Sequence, residues 1–130
     1  MPSGQVELAR RLYTAIESAD LDAMLEFVAP DFELHTSGEF PGDAAVYRGR
    51  DGYVRFWQEW WDLWSEFRFA VEELRECGDV VAALYWLEGE TRNGPRVRRR
   101  GGEVVRFRGE VMVRVDAYGS WEETLEAAGA

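Results

Sequence analysis

The feature that most constrains this chain is the dipeptide Asn93-Gly94, set between two runs of thirteen residues, Val80 to Arg92 and Pro95 to Phe107. Asn-Gly is the strongest short hairpin signal, because both residues tolerate positive φ. It predicts a tight turn with residues 80–92 and 95–107 paired around it. Phe67 to Glu76 reads as a strand ahead of this pair, followed by a Gly78-Asp79 turn. Val111 to Tyr118 alternates cleanly after a turn at Arg108 to Glu110. The second half of the chain is therefore an antiparallel meander.

The first half has a different period. Val6, Ala9, Leu12, Tyr13 and Ile16 form a helical stripe within residues 4–19. Asp20 breaks that helix and can cap a second, which carries Leu21, Met24, Leu25 and Val28 on its buried side and ends at Pro30. Phe32 to Thr36 alternates as a short strand, and Ser37 to Gly49 is a loop rich in Gly and Pro. Asp51 to Trp64 is a third helix. Ser120 caps a last short helix, Trp121 to Ala128, with Glu122 and Glu123 in its first turn. Helices first and an antiparallel sheet after make the chain α+β.

Composition narrows the function classes. A chain of 130 residues is one domain's worth, and 18 aromatic residues give it a core that disordered chains lack. A net charge of -10 repels phosphate backbones and anionic lipid, so no nucleic acid and no membrane is expected as a partner. The longest apolar run, Val80 to Leu87, is eight residues against the roughly 20 that span a bilayer. The N-terminus carries no apolar signal segment, which points to a cytoplasmic location. Cys77 stands alone, so no intrachain disulfide forms. All fifteen basic residues are Arg, which removes lysine chemistry. One His and one Cys do not supply a catalytic zinc set, and the glycines match neither a phosphate loop nor a dinucleotide fingerprint. No metal and no cofactor is expected.

Three stretches then carry a family likeness: Leu12-Tyr13-Thr14-Ala15-Ile16-Glu17-Ser18-Ala19-Asp20-Leu21-Asp22, Tyr47-Arg48-Gly49-Arg50-Asp51-Gly52, and Arg108-Gly109-Glu110 leading to Ala117-Tyr118-Gly119-Ser120. In that order and spacing the chain resembles the nuclear transport factor 2-like superfamily, and within it the SnoaL-like (polyketide cyclase-like) branch. The resemblance covers essentially the whole chain, residues 1–130, as a single SnoaL-like domain. It implies a cone: a curved antiparallel sheet wrapped around three N-terminal helices, with a short C-terminal helix. It also points to a homodimer, joined through the outer sheet face that the helices leave exposed. The superfamily holds cyclases, isomerases, hydrolases and non-catalytic binding or dimerising domains, so fold does not settle function.

Two residues stand out as candidate acid–base groups. His35 is the only side chain whose ordinary pKa lies near neutrality. Aligned on the family it falls where ketosteroid isomerase carries its carboxylate base. It shares a face with Glu33 and Ser37, opposite Phe32 and Leu34, so it is merely solvated if the Phe32 face covers the core. Glu103 breaks the alternation of its strand: Arg96, Arg98, Arg100, Arg106 and Arg108 mark the wet face, and parity puts Glu103 with Val105 and Phe107. By spacing it resembles the isomerase's second, hydrogen-bond-donating acid. A bulge at Gly101-Gly102 would flip it outward into a salt bridge. The family's donor tyrosine matches Leu12, which donates nothing. Tyr13 is adjacent, but about 100° around the helix and out of place to substitute.

Around these groups Tyr13, Trp57, Trp60, Trp61, Val105, Phe107 and Arg99 are the candidate ligand-binding residues. Tyr53, Trp57, Trp60, Trp61 and Trp64 share one broad helix face, as core, cavity wall or subunit interface. Arg99 is notable for sharing Glu103's parity. The expected function is binding of a small hydrophobic molecule. If the domain is catalytic, it is a cofactor-free cyclase, isomerase or hydrolase, with His35 as base and Glu103 as acid or orienting group. The alternative is a non-catalytic ligand-binding or dimerisation module.

Overall fold

The computed structural model describes residues 4–37 and 45–130. They form, in chain order, α1 (Gly4–Glu17), α2 (Leu21–Leu25), β1 (Val28–His35), β2 (Val46–Arg48), α3 (Gly49–Asp62), β3 (Trp64–Cys77), β4 (Val80–Thr91), β5 (Arg96–Arg108), β6 (Val111–Tyr118) and α4 (Trp121–Ala128). The strands make one six-stranded sheet in the order β2-β1-β6-β5-β4-β3. β3 to β6 are the antiparallel meander; β1 lies parallel to β6, and β2 antiparallel to β1. The sheet is curved and unclosed, the α+β cone expected from the sequence. Its core gathers Leu12 and Ile16 of α1, Tyr53, Trp57 and Trp60 of α3, and Phe32, Phe69, Val81, Tyr85 and Val105 of the sheet. Among the described residues no helix is long and apolar enough to cross a membrane.

Tertiary pairing overrides local signals at three places. α2 stops at Leu25, and Val28 is already strand, because the Met112 N–H of β6 bonds to the Phe27 carbonyl and Val28 pairs with Met112. Pro30 then falls inside β1, where the β1–β6 register shifts between Val28 and Glu33, so its missing N–H costs no ladder bond. Trp64 opens β3, paired with Thr91, instead of closing α3. Of the expected Ser37–Gly49 loop, residues 38–44 lie outside the described residues, and Val46–Arg48 pair with β1.

The Asn93-Gly94 hairpin exists with a looser turn than expected. Pairing runs from Val81 opposite Val105 to Glu90 opposite Arg96, which leaves residues 91–95 to make the connection. Neither Asn93 nor Gly94 takes a positive φ. Glycine is needed at 94 for space: a Cβ there would lie 2.5 Å from Thr91 Oγ1.

α4 occupies part of the outer face that the sequence left bare. Ser120 caps it by accepting from the Glu123 N–H at 3.1 Å, and the Trp121 indole donates to the Tyr85 carbonyl at 3.1 Å. Gly102 makes room for it, since a Cβ would meet Thr124 Oγ1 at 2.2 Å. The outer face of β2, β1 and β6 is ionic, with Arg48 on Glu33 and Arg114 on Asp116.

Candidate functional site

Strand alternation decides what faces the inside of the cone. The β4–β5 register runs without a shift from residue 81 to residue 90, so Gly101 and Gly102 host no bulge and parity holds. Glu103 therefore points inward with Val105. Its cross-strand neighbours are Ala83 and Ala117, two small residues that leave the space above it to larger side chains. Tyr13 comes down from α1, and its hydroxyl donates to Glu103 Oε1. Tyr85 of β4 lies over Gly101, where a Cβ would approach its Cε1 to 2.7 Å. The Tyr85 hydroxyl leans on the same carboxyl and lies 3.4 Å from the Gly102 carbonyl. Phe69 stacks on Tyr13 at 5.9 Å and packs on Tyr85 at 4.3 Å, so both phenols are held by one ring.

This setting controls ionisation. Burial pushes the Glu103 carboxyl up to about 7, and hydrogen bonds from Tyr13 and Tyr85 hold it down against that rise. Burial first, and the adjacent carboxylate second, keep Tyr13 and Tyr85 well above the usual phenol range. Tyr53 is raised by the same two causes. A carboxyl that is part ionised near neutrality, touching a phenol that stays protonated, is the pairing that proton transfer requires.

Two small voids flank Glu103. One, about 10 Å³, lies toward Leu12, Leu34, Tyr53 and Met112; the other, about 20 Å³, lies toward Trp60, Phe69 and Leu87. Each is close to the size of one water. Phe56 and Trp57 wall both, and the Trp57 indole N–H is buried without a hydrogen bond, turned toward the Tyr53 hydroxyl but short of bonding geometry. Trp60 and Leu87 separate the second void from an open pocket of about 470 Å³ at the mouth, which Trp64, Val97 and Arg99 also line.

The structure brings some expected residues together and separates others. His35 does not join Glu103. Phe32 and Leu34 take the inner face of β1, so alternation turns His35 outward, where its Nε2 is 2.8 Å from Glu33 Oε1. The hydrogen bond from His35 holds Glu33 below the usual carboxylate range. Tyr13 does reach the acid, contrary to its expected place too far around α1. Trp57 and Trp60 are buried and serve both as core and as cavity wall, while Trp61 is half-buried 5.5 Å from Trp57. Val105 is core and Phe107 packs partly buried against it. Arg99 is exposed at the mouth. Sequence reasoning missed Tyr85 and Tyr53; the register that sets Tyr85 opposite Gly101 is the signal for the first. Among the described residues no group of three or more His, Cys, Asp or Glu side chains is placed to hold a metal ion.

Known proteins share this architecture. An NTF2-like protein from Burkholderia thailandensis superposes with a TM-score of 0.82 at 23% identity, over 100% of this chain and 99% of that one. TerC co-crystallised with polyporic acid matches with a TM-score of 0.78 at 18% identity, over 98% of this chain and 100% of its own. A loop-truncation variant of IdmH matches with a TM-score of 0.71 at 25% identity, over 95% of this chain and 98% of its own. No curated protein matches the chain in sequence. The profile of the SnoaL-like domain matches residues 9–115, through both the helical half and most of the meander, and the chain belongs to the SnoaL-like domain family.

Proposed function

We propose that this domain binds a small, largely apolar molecule in its cone and moves a proton on it without a cofactor. Glu103 is the proton acceptor and donor, and Tyr13 is the hydrogen-bond donor to a ligand oxygen. The observation that carries this reading is the Glu103 carboxyl, enclosed by rings, hydrogen-bonded to Tyr13 and poised near neutrality. In the reaction the carboxylate takes a proton from a carbon beside a ketone. The electron pair moves onto the ketone oxygen, where Tyr13 holds it, and the carboxyl returns the proton. That TerC of like fold was crystallised with a small organic acid supports a cone open to such molecules.

The narrow inner voids favour a second reading, a module that binds at the mouth and does no chemistry. The neutral two-ring ketone 2-tetralone separates the two. With wild type we expect quenching of tryptophan fluorescence and exchange of its α-protons with deuterated water, rising as pH passes through about 7. Glu103→Gln should abolish the exchange. Quenching without exchange supports the module, and the absence of both overturns the ligand-binding reading.

A further inference from the structure

One arginine departs from the pattern of β5. Arg96, Arg98, Arg100, Arg106 and Arg108 lie on the outer face, and each is engaged there. Arg96 and Arg98 meet Glu88, and Arg100 lies over the Trp86 and Trp121 rings. Arg106 meets Asp79, and Arg108 meets Asp31. Arg99 is the arginine of β5 that shares the inner face with Val97, Gly101 and Glu103. It opens on the mouth pocket of about 470 Å³, beside Trp60, Trp64, Leu87 and Val97. Its positive charge acts on the Tyr85 hydroxyl, so the guanidinium is felt along the concave wall as far as the acid cluster. Trp60 and Leu87 belong to both the mouth pocket and the void beside Glu103, which makes the two neighbouring stations of one path.

Building on the reading of the cone as a ligand site, we propose that the ligand is an aromatic acid. Arg99 grips its carboxylate at the mouth, and its rings lie against Trp60, Leu87 and Val97 on the way to Glu103. The guanidinium fork matches a carboxylate with two parallel hydrogen bonds, a geometry no neutral group reproduces. Arg99 and Glu103 are four residues apart on one strand, roughly 13 Å between Cα atoms. A ligand of two linked rings, acidic at one end and oxygenated at the other, suits that interval. The chain's net charge of -10 disfavours anions at a distance, so the selection has to be made by this local contact, where apolar walls weaken screening.

Isothermal titration of the intact protein with 4′-hydroxybiphenyl-4-carboxylate and with the matching carboxamide tests the assignment. Wild type should bind the carboxylate about tenfold tighter than the carboxamide, the ratio expected of a charge-assisted bidentate contact. Arg99→Gln should remove the preference by weakening the carboxylate alone, and Arg98→Gln, on the outer face, should keep it. Equal affinities in wild type, a preference that survives Arg99→Gln, or no binding of either probe overturns the proposal. Glu103→Gln separates it from the reading it builds on. That variant should weaken both probes alike through their hydroxyl end and leave the ratio intact. If it changes neither affinity while Arg99→Gln still erases the ratio, the role of the acid falls and the mouth assignment stands.

Discussion

On the outer face of β5, Arg106 meets Asp79 at 2.7 Å and Arg108 meets Asp31 at 2.9 Å, with water around both pairs. On the inner face, two residues before Val105, Glu103 is enclosed by rings and held by phenols instead of a cation. The same strand therefore keeps its charges in two regimes, separated by the alternation of a pleat. Outside, the partner arginines hold Asp31 and Asp79 below the usual carboxylate range, but water screens each pair and little stability follows. Inside, burial works on the ionisation itself, and the carboxyl moves the opposite way. What separates a structural charge from a chemically useful one here is solvent access, not residue type.

The largest break in this comparison should come from Glu103→Gln. The folded protein holds the Glu103 proton up to about 7, above the roughly 4.3 of an unfolded chain. The stability this contributes is fully present below that unfolded value. It is lost as pH rises through the folded one, by up to about 3 kcal/mol. Urea midpoints between pH 4.5 and 8.5, above the range where the outer carboxylates titrate, should fall for wild type and stay level for Glu103→Gln. Parallel profiles would show that the acid is not buried in solution. Next in size is Gly101→Val. Its Cβ would crowd the Tyr85 ring, and we expect a loss of about 2 kcal/mol at every pH in the same assay.

Tyr13→Phe sharpens the inner half. Because the Tyr13 hydroxyl holds the Glu103 carboxyl down, its removal should raise the midpoint of Glu103 read by carboxyl carbon NMR, at a cost near 1 kcal/mol above neutrality. An unmoved midpoint would remove Tyr13 from the pair. Arg108→Gln is the control for the outer half. It should leave the urea midpoint unchanged within error, at low salt and at high.

Glu103 was legible in the sequence because the arginines around it alternate so strictly that an acid at odd parity stands out. The order of helices and strands was legible for the same reason, since most segments repeat at a single period. His35 was not, because Phe32 and Leu34 establish two faces without saying which one the helices cover. The contact of Tyr13 with the acid depends on how α1 is rolled against β3, a tertiary angle that helical spacing leaves open. The turn at 91–95 shows a further limit: a sequence marks a reversal, whereas cross-strand register sets its width.

The paired glycines of β5 make the wall of the cone one peptide thick at the height of the acid. Gly101 leaves the inner side to Tyr85, Gly102 leaves the outer side to Thr124, and the Trp121 indole bonds to the backbone of that same Tyr85. The C-terminal helix is in effect a backing plate for the tyrosine that steadies the carboxylate. A fusion or truncation that lifts α4 away would reach the interior through that thin panel, and Glu103 would register the change from the far side of the sheet.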